Sequence, residues 1–191
     1  MSIKDFYFGI LNGGKSKRMG APKSMFIYRG IPLIEYIYNI VKEINNNVVI
    51  LGESEIPESM TKLKRLKDAP YPGPIAAVLS AYDYKKCDWF FIATDMYQTD
   101  IEMTNEILSL RKKSKYGVIP YREDIKKYEP FFAYYKSNLL KMIKETACDE
   151  VYSLQRILSI LKIEGNVEFA KKYDLRLKSL NSIRDLSDFP K

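Results

Sequence analysis

Residues 11–23, LNGGKSKRMGAPK, hold the densest concentration of chemistry-bearing side chains in the sequence. Gly13, Gly14 and Gly20 stand among one serine, Ser16, and four cations, Lys15, Lys17, Arg18 and Lys23. Glycines without a Cβ let backbone N–H groups approach phosphate oxygens, and Arg18 and Lys23 can neutralise charge there, one as a planar fork and one as a point charge. The composition suits a polyphosphate. Two common phosphate loops do not fit it: the dinucleotide G-x-G-x-x-G needs a different glycine spacing, and Lys23-Ser24 comes three positions after Gly20, not directly after a glycine as in a Walker loop. An ordinary solvated basic loop would account for the glycines or the lysines taken singly.

The remaining composition narrows the chemistry. The chain has 191 residues, a formal charge of +7 and no histidine. That absence excludes Ser-His-Asp and Cys-His triads, histidine-bound zinc and a histidine general base, and leaves Asp, Glu, Lys, Arg, Ser, Tyr or a carboxylate-held metal. With 46% hydrophobic and 13% aromatic residues the chain is too apolar to be disordered, and its length predicts one domain over residues 1–191. Cys87 and Cys148 form no CxxC and no metal-spaced set, so both read as structural or incidental thiols of a reducing compartment. The short polar stretch 1–5 and apolar runs far below about 20 residues predict no membrane span and a cytoplasmic protein. The densest basic cluster, Lys62, Lys64, Arg65 and Lys67, reads as solvated surface, and no nucleic-acid partner is expected.

Elements able to position the loop follow from hydrophobic patterning. Apolar runs at 6–11, 47–51 and 89–93 read as buried strands, with further strands at 116–120 and 131–135. Helices are predicted at about 32–44, opened by Pro32, and at 74–84, 101–112, 138–145 and 153–161. Tyr134 and Tyr135 read as core-and-surface alternation along their strand. Strands alternating with helices predict an α/β fold, a mainly parallel sheet with helices on both faces in three layers. Ligands bind beyond the carboxyl ends of such strands, so Asn12-Gly13-Gly14 and Thr94-Asp95, which end the first and third strands, should share a site.

Residues 11–23 resemble the L-A-G-G-x-S-x-R-M-G-x-x-K signature of the MobA-like nucleotidyltransferases, the family of molybdenum cofactor guanylyltransferase, with Asn12 in place of alanine. The resemblance continues at 68–77, DAPYPGPIAA, similar to D…G-P-L-A-G with Ala77 for the last glycine. It also extends through Ala93-Thr94-Asp95-Met96, like C-D-x-P, Glu129-Pro130-Phe131-Phe132-Ala133, like x-P-L-F-A, and Asn181-Ser182, like the start of N-T-P-E-D-L.

What the resemblance implies is a single Rossmann-like nucleotidyltransferase domain and a defined reaction. A substrate phosphate attacks the α-phosphorus of a nucleoside triphosphate and pyrophosphate leaves, which demands positioning and charge neutralisation rather than a histidine. Leu11, Asn12, Gly13 and Gly14 would meet the nucleotide, and Arg18 and Lys23 would hold its triphosphate. Asp95 would ligate Mg²⁺, a hard carboxylate for a hard cation, or else cap the following segment. Asp68 would contact the nucleotide, or serve as a turn residue before Pro70; Gly73 would allow close approach to base or ribose, or form a plain turn with Pro72.

The leading expectation is a guanylyltransferase moving GMP from GTP to molybdopterin-bound molybdenum. It would work with other proteins of molybdenum cofactor biosynthesis, as a monomer or weak homo-oligomer. Two departures bear on the base: Leu51-Gly52-Glu53-Ser54 lacks the asparagine the family often places after its second strand, and Ser179-Leu180-Asn181 keeps one of a C-terminal asparagine pair. The alternatives are a cytidylyltransferase acting on molybdopterin or a sugar or polyol phosphate, and a nucleotide-binding protein without transfer.

Overall fold

A computed structural model describes residues 6–13, 22–148, 151–177 and 179–180. In chain order the strands are β1 (Phe6–Leu11), β2 (Ile27–Tyr28), β3 (Ile31–Pro32), β4 (Val48–Leu51), β5 (Arg65–Leu66), β6 (Asp88–Ala93), β7 (Gly117–Val118), β8 (Tyr121–Arg122), β9 (Lys127–Tyr128) and β10 (Phe132–Tyr135). The helices are α1 (Leu33–Ile44), α2 (Ile75–Tyr84), α3 (Ile101–Leu110), α4 (Ser137–Thr146), α5 (Leu154–Ile160) and α6 (Val167–Lys172).

Six strands form the central sheet in the order β5-β4-β1-β6-β10-β7. β1 pairs in parallel with β4 and with β6, β4 pairs in parallel with β5, and β10 runs antiparallel to both β6 and β7. One reversed strand in an otherwise parallel sheet matches the mainly parallel expectation. The chain reaches β10 through the β8–β9 hairpin instead of a helical crossover, and that short return reverses its direction.

Side-chain alternation along the strands builds two cores. Phe6, Phe8, Ile10, Phe90 and Ile92 face one helical layer with Ile34, Ile37, Met103 and Phe169 of α1, α3 and α6. Leu11, Leu51, Trp89 and Phe91 face the other with Val78, Leu140, Ile143 and Ile157 of α2, α4 and α5. The molecule is therefore a three-layer α/β structure. Because both faces are covered, Tyr134 and Tyr135 are both buried, one in each core, which corrects the core-and-surface reading. Burial pushes the Tyr135 hydroxyl far above the ordinary tyrosine range, and it donates to the Pro130 carbonyl at 2.9 Å.

Helix α1 shows why these residues take this form. Leu33, Ile34, Ile37 and Val41 make its buried stripe, and Pro32 at the N-cap fixes the entering φ near −55°. At the other end Asn45 stops it: its backbone N–H closes on Val41 and its side-chain amide donates to the Phe6 carbonyl at 2.9 Å, tying the helix to the start of β1. The expected strand at 116–120 is shorter than predicted, since only Gly117–Val118 pairs with β10, and Pro120 instead bridges to Asn166. Among the described residues no helix is long and apolar enough to cross a membrane.

Candidate functional site

The carboxyl ends of β1 and β6 open into a cleft of about 540 Å³. Leu11, Asn12, Gly13, Lys23, Asp68, Gly73 and Asp95 all line it, although they come from five separate stretches of the sequence. Gly14 and Arg18 lie outside the described residues, as do Asn181 and Ser182.

The floor is built by backbone packing. Leu11 ends β1, and the Asn12 N–H continues the ladder by donating to the Leu51 carbonyl at 2.7 Å. The Asn12 side chain, 1% exposed, turns away from the cleft and donates to the Ser54 and Glu55 carbonyls at 3.0 and 3.2 Å. Gly52 makes this approach possible. Its φ is +104°, and a Cβ there would lie 2.6 Å from the Asn12 carbonyl oxygen, so no larger residue fits without displacing the loop. Ser24 secures the other side of the same seam, its hydroxyl donating to the Glu55 carbonyl at 3.0 Å. Asn12 thus holds up the loop floor at the edge of the cleft, its carbonyl also accepting from the Ser54 N–H at 3.2 Å.

Lys23 and Asp95 meet at the centre. Lys23 sits on a 3₁₀ turn, Lys23–Met25, and Asp95 follows β6; 72 residues apart in sequence, they form an ion pair of 3.1 Å with side chains 23% and 24% exposed. The ammonium also donates to the Leu180 carbonyl, while the Leu180 N–H donates to the Asp95 carbonyl at 2.9 Å. The Asp95 carboxylate therefore faces a cation, and the N-cap of the next helix, α3, is Asp100, whose side chain accepts from the Met103 N–H at 2.9 Å.

Asp68 and Gly73 form one end of the cleft, beyond β5. Burial, with the charge of Glu53, pushes the Asp68 carboxyl above the usual carboxylate range. Its oxygen would lie 3.9 Å from a Cβ at Gly13, which places Asp68 beside the glycine loop. Gly73 has φ +75° with open space around it, so the turn before α2 requires the glycine through backbone conformation.

Glu129 and Phe131, at the other end, were not singled out as site residues from the sequence. Because β10 is reversed, the residues ahead of it arrive at the carboxyl edge of the parallel strands, and Phe131 accepts from the Ala93 N–H at 2.8 Å. The only signal was the x of x-P-L-F-A. Burial lifts the Glu129 carboxyl to about 6; Arg122 and Lys127 pull it down, and Asp95 and Asp124 add to the rise.

The cleft thus joins three carboxylates, Asp68, Asp95 and Glu129, to one described ammonium, Lys23. No group of three or more Asp, Glu, Cys or His among the described residues is arranged to hold a metal alone. A single accessible carboxylate fits Mg²⁺, which keeps waters and takes phosphate oxygens instead of an all-protein cage. Away from the cleft, burial pushes the Cys87 thiol up to about 11, leaving it protonated and unreactive.

The chain is similar to proteins of known type. A probable molybdenum cofactor guanylyltransferase of Bacillus anthracis is 28% identical over 178 residues, covering 89% of this chain and 86% of its own. Among solved structures, molybdopterin-guanine dinucleotide biosynthesis protein A of Archaeoglobus fulgidus superposes with a TM-score of 0.75 at 20% identity, over 95% of each chain. A cytidylyltransferase of Leptospira borgpetersenii superposes at 0.55 and 12% identity, over 83% of this chain and 71% of that one, so the fold alone carries more than one base specificity. The model of the MobA-like NTP transferase domain matches residues 9–166, and the chain belongs to that family.

Proposed function

We propose that this protein is a molybdenum cofactor guanylyltransferase, a single domain that transfers GMP from GTP to the phosphate of Mo-molybdopterin and releases pyrophosphate. The observation that carries the reading is the Lys23–Asp95 pair, held at 3.1 Å over the carboxyl ends of β1 and β6 beside the backbone of residues 11–13. A cation for phosphate and a carboxylate for a metal stand there as the transfer needs them. The names borne by the Bacillus relatives support guanine as the base and molybdopterin as the acceptor.

The residues divide the work. Backbone groups of Leu11, Asn12 and Gly13 receive the nucleotide, Gly13 and Gly14 admitting it closely, while Asp68 and the turn at Gly73 bound its base and ribose. Lys23 and Arg18 hold the triphosphate and the negative charge that grows as pyrophosphate leaves. Asp95 would hold Mg²⁺, which when bound neutralises and orients phosphate oxygens. The bond that forms joins an acceptor phosphate oxygen to the α-phosphorus; the bond that breaks joins the α-phosphorus to the β-bridging oxygen. No protein nucleophile is required.

One observation favours a second reading. Leu51-Gly52-Glu53-Ser54 offers no asparagine to the base, and a cytidylyltransferase shares the fold, so CTP is the competing donor. Binding of GTP, CTP, ATP and UTP with Mg²⁺, followed by pyrophosphate release on adding Mo-molybdopterin, separates the two. Selective GTP binding with acceptor-dependent release supports guanylyl transfer. CTP preference overturns it in favour of the cytidylyltransferases, and binding without release for any acceptor marks a non-catalytic nucleotide-binding protein.

A further inference from the structure

The cleft has a carboxylate at each end and an ion pair between them. Asp95 is matched by Lys23, whereas the side chains of Asp68 and Glu129 have no hydrogen-bond or ion-pair partner among the described residues. Asp68 stands beside Gly13, on the side of β4 and β5. Glu129 stands across β6, where β10 begins, on the side away from the glycine loop. A nucleotide seated on residues 11–13 with its triphosphate at Lys23 fills the first half, so the second half is left for the acceptor.

Glu129 is held there with little freedom. Its own N–H donates to the Pro120 carbonyl at 2.8 Å. On one side Tyr128 is fixed by Gln155, whose amide accepts from the Tyr128 N–H at 2.9 Å and donates to its carbonyl at 2.6 Å; on the other, the Pro130 carbonyl accepts from Tyr135 at 2.9 Å. Three consecutive residues bound through their backbone present one unpartnered carboxylate to the cleft, next to the half-buried ring of Phe131. Such a carboxylate repels a phosphate and favours a group bearing N–H or O–H donors, most of all two parallel donors that meet both its oxygens. An aromatic wall beside it suits a flat ring.

We infer that Glu129 is an acceptor-binding and specificity residue, its carboxylate receiving the adjacent ring N–H and amino N–H of a 2-amino-4-oxopyrimidine edge, the edge a pterin carries, while Phe131 packs against the ring. The inference rests on the guanylyltransferase reading for the identity of the acceptor and adds to it which end of that acceptor the protein reads. The acceptor phosphate then extends back toward Asp95 and Lys23, where transfer takes place.

The test is direct binding of molybdopterin to the wild-type protein and to Glu129→Gln, followed by pterin fluorescence without nucleotide, with GTP binding measured in parallel. Glutamine keeps the size but puts a donor where an acceptor is needed. The expected result is a Kd for molybdopterin raised about tenfold or more, the worth of a hydrogen bond to a charged group, and an unchanged Kd for GTP. Equal molybdopterin affinity in the two proteins, no molybdopterin binding by the wild type, or an equal loss for GTP and molybdopterin overturns the inference. Because no turnover is involved, a wild-type protein that binds molybdopterin through Glu129 but transfers no GMP would refute the guanylyltransferase reading alone.

Discussion

Substituting Glu129 by glutamine should stabilise the fold at neutral pH, in a pH-dependent way whose sign follows from the site. The folded-state carboxyl titrates at about 6 against 4.5 when unperturbed, burial being the main cause. The folded protein therefore holds this proton more tightly than the unfolded chain. Glu129's contribution to stability is fully present below pH 4.5 and is lost as pH rises through 6. Moving a carboxyl from 4.5 to about 6 corresponds to about 2 kcal/mol, and its residual contact with solvent reduces this to roughly 1–2 kcal/mol. Neutral glutamine escapes the cost, so E129Q should match wild type near pH 4.5 and exceed it by roughly 1–2 kcal/mol at pH 8, equivalent to a Tm higher by roughly 3–6 °C. Urea unfolding of both proteins from pH 4.5 to 8 measures the difference directly, titrating groups remote from Glu129 cancelling in the comparison. A constant offset across that range, or a variant less stable at pH 8, would refute the reasoning.

Other perturbations reach the remaining parts of the cleft. Lys23→Ala and Asp95→Ala should each reduce transfer by about a hundredfold or more while changing stability by less than about 1 kcal/mol, since the pair is partly exposed; steady-state rates and thermal melts check both. Asn12→Ala deletes two hydrogen bonds beneath the loop and should cost about 1–3 kcal/mol in chemical denaturation, with weaker nucleotide binding. Gly52→Ala forces a Cβ against the Asn12 carbonyl at φ +104° and should cost about 1–3 kcal/mol, with a raised KM for the nucleotide; wild-type behaviour there would contradict the packing described.

Much of this was legible in the sequence. Runs such as 6–11 and 89–93 are short and apolar enough to be strands covered on both faces, and the alternation with helices fixed the layers. The rule that ligands sit beyond strand ends then brings Gly13 and Asp95 to one site from the sequence alone. The same rule hid Glu129. It points to the residues after a strand, and the direction of β10 depends on the hairpin that precedes it, which two-residue strands such as β8 and β9 signal too weakly to be read. Tyr134 and Tyr135 were misread for a related reason, because alternation shows that two faces differ without showing that both are covered. Asn12, expected to meet the nucleotide, lines the cleft; that its side chain braces residues 54 and 55 depends on a long-range approach through Gly52 that no local pattern encodes.

The most direct test of the central claim follows the α-phosphorus. GTP labelled at that atom is incubated with the protein, Mg²⁺ and Mo-molybdopterin, and the label is traced while pyrophosphate is counted. The account predicts label in a molybdopterin guanine dinucleotide, one pyrophosphate for each, and neither product when the acceptor or Mg²⁺ is omitted. Label that stays in GTP, or transfer from CTP in preference to GTP, would contradict it.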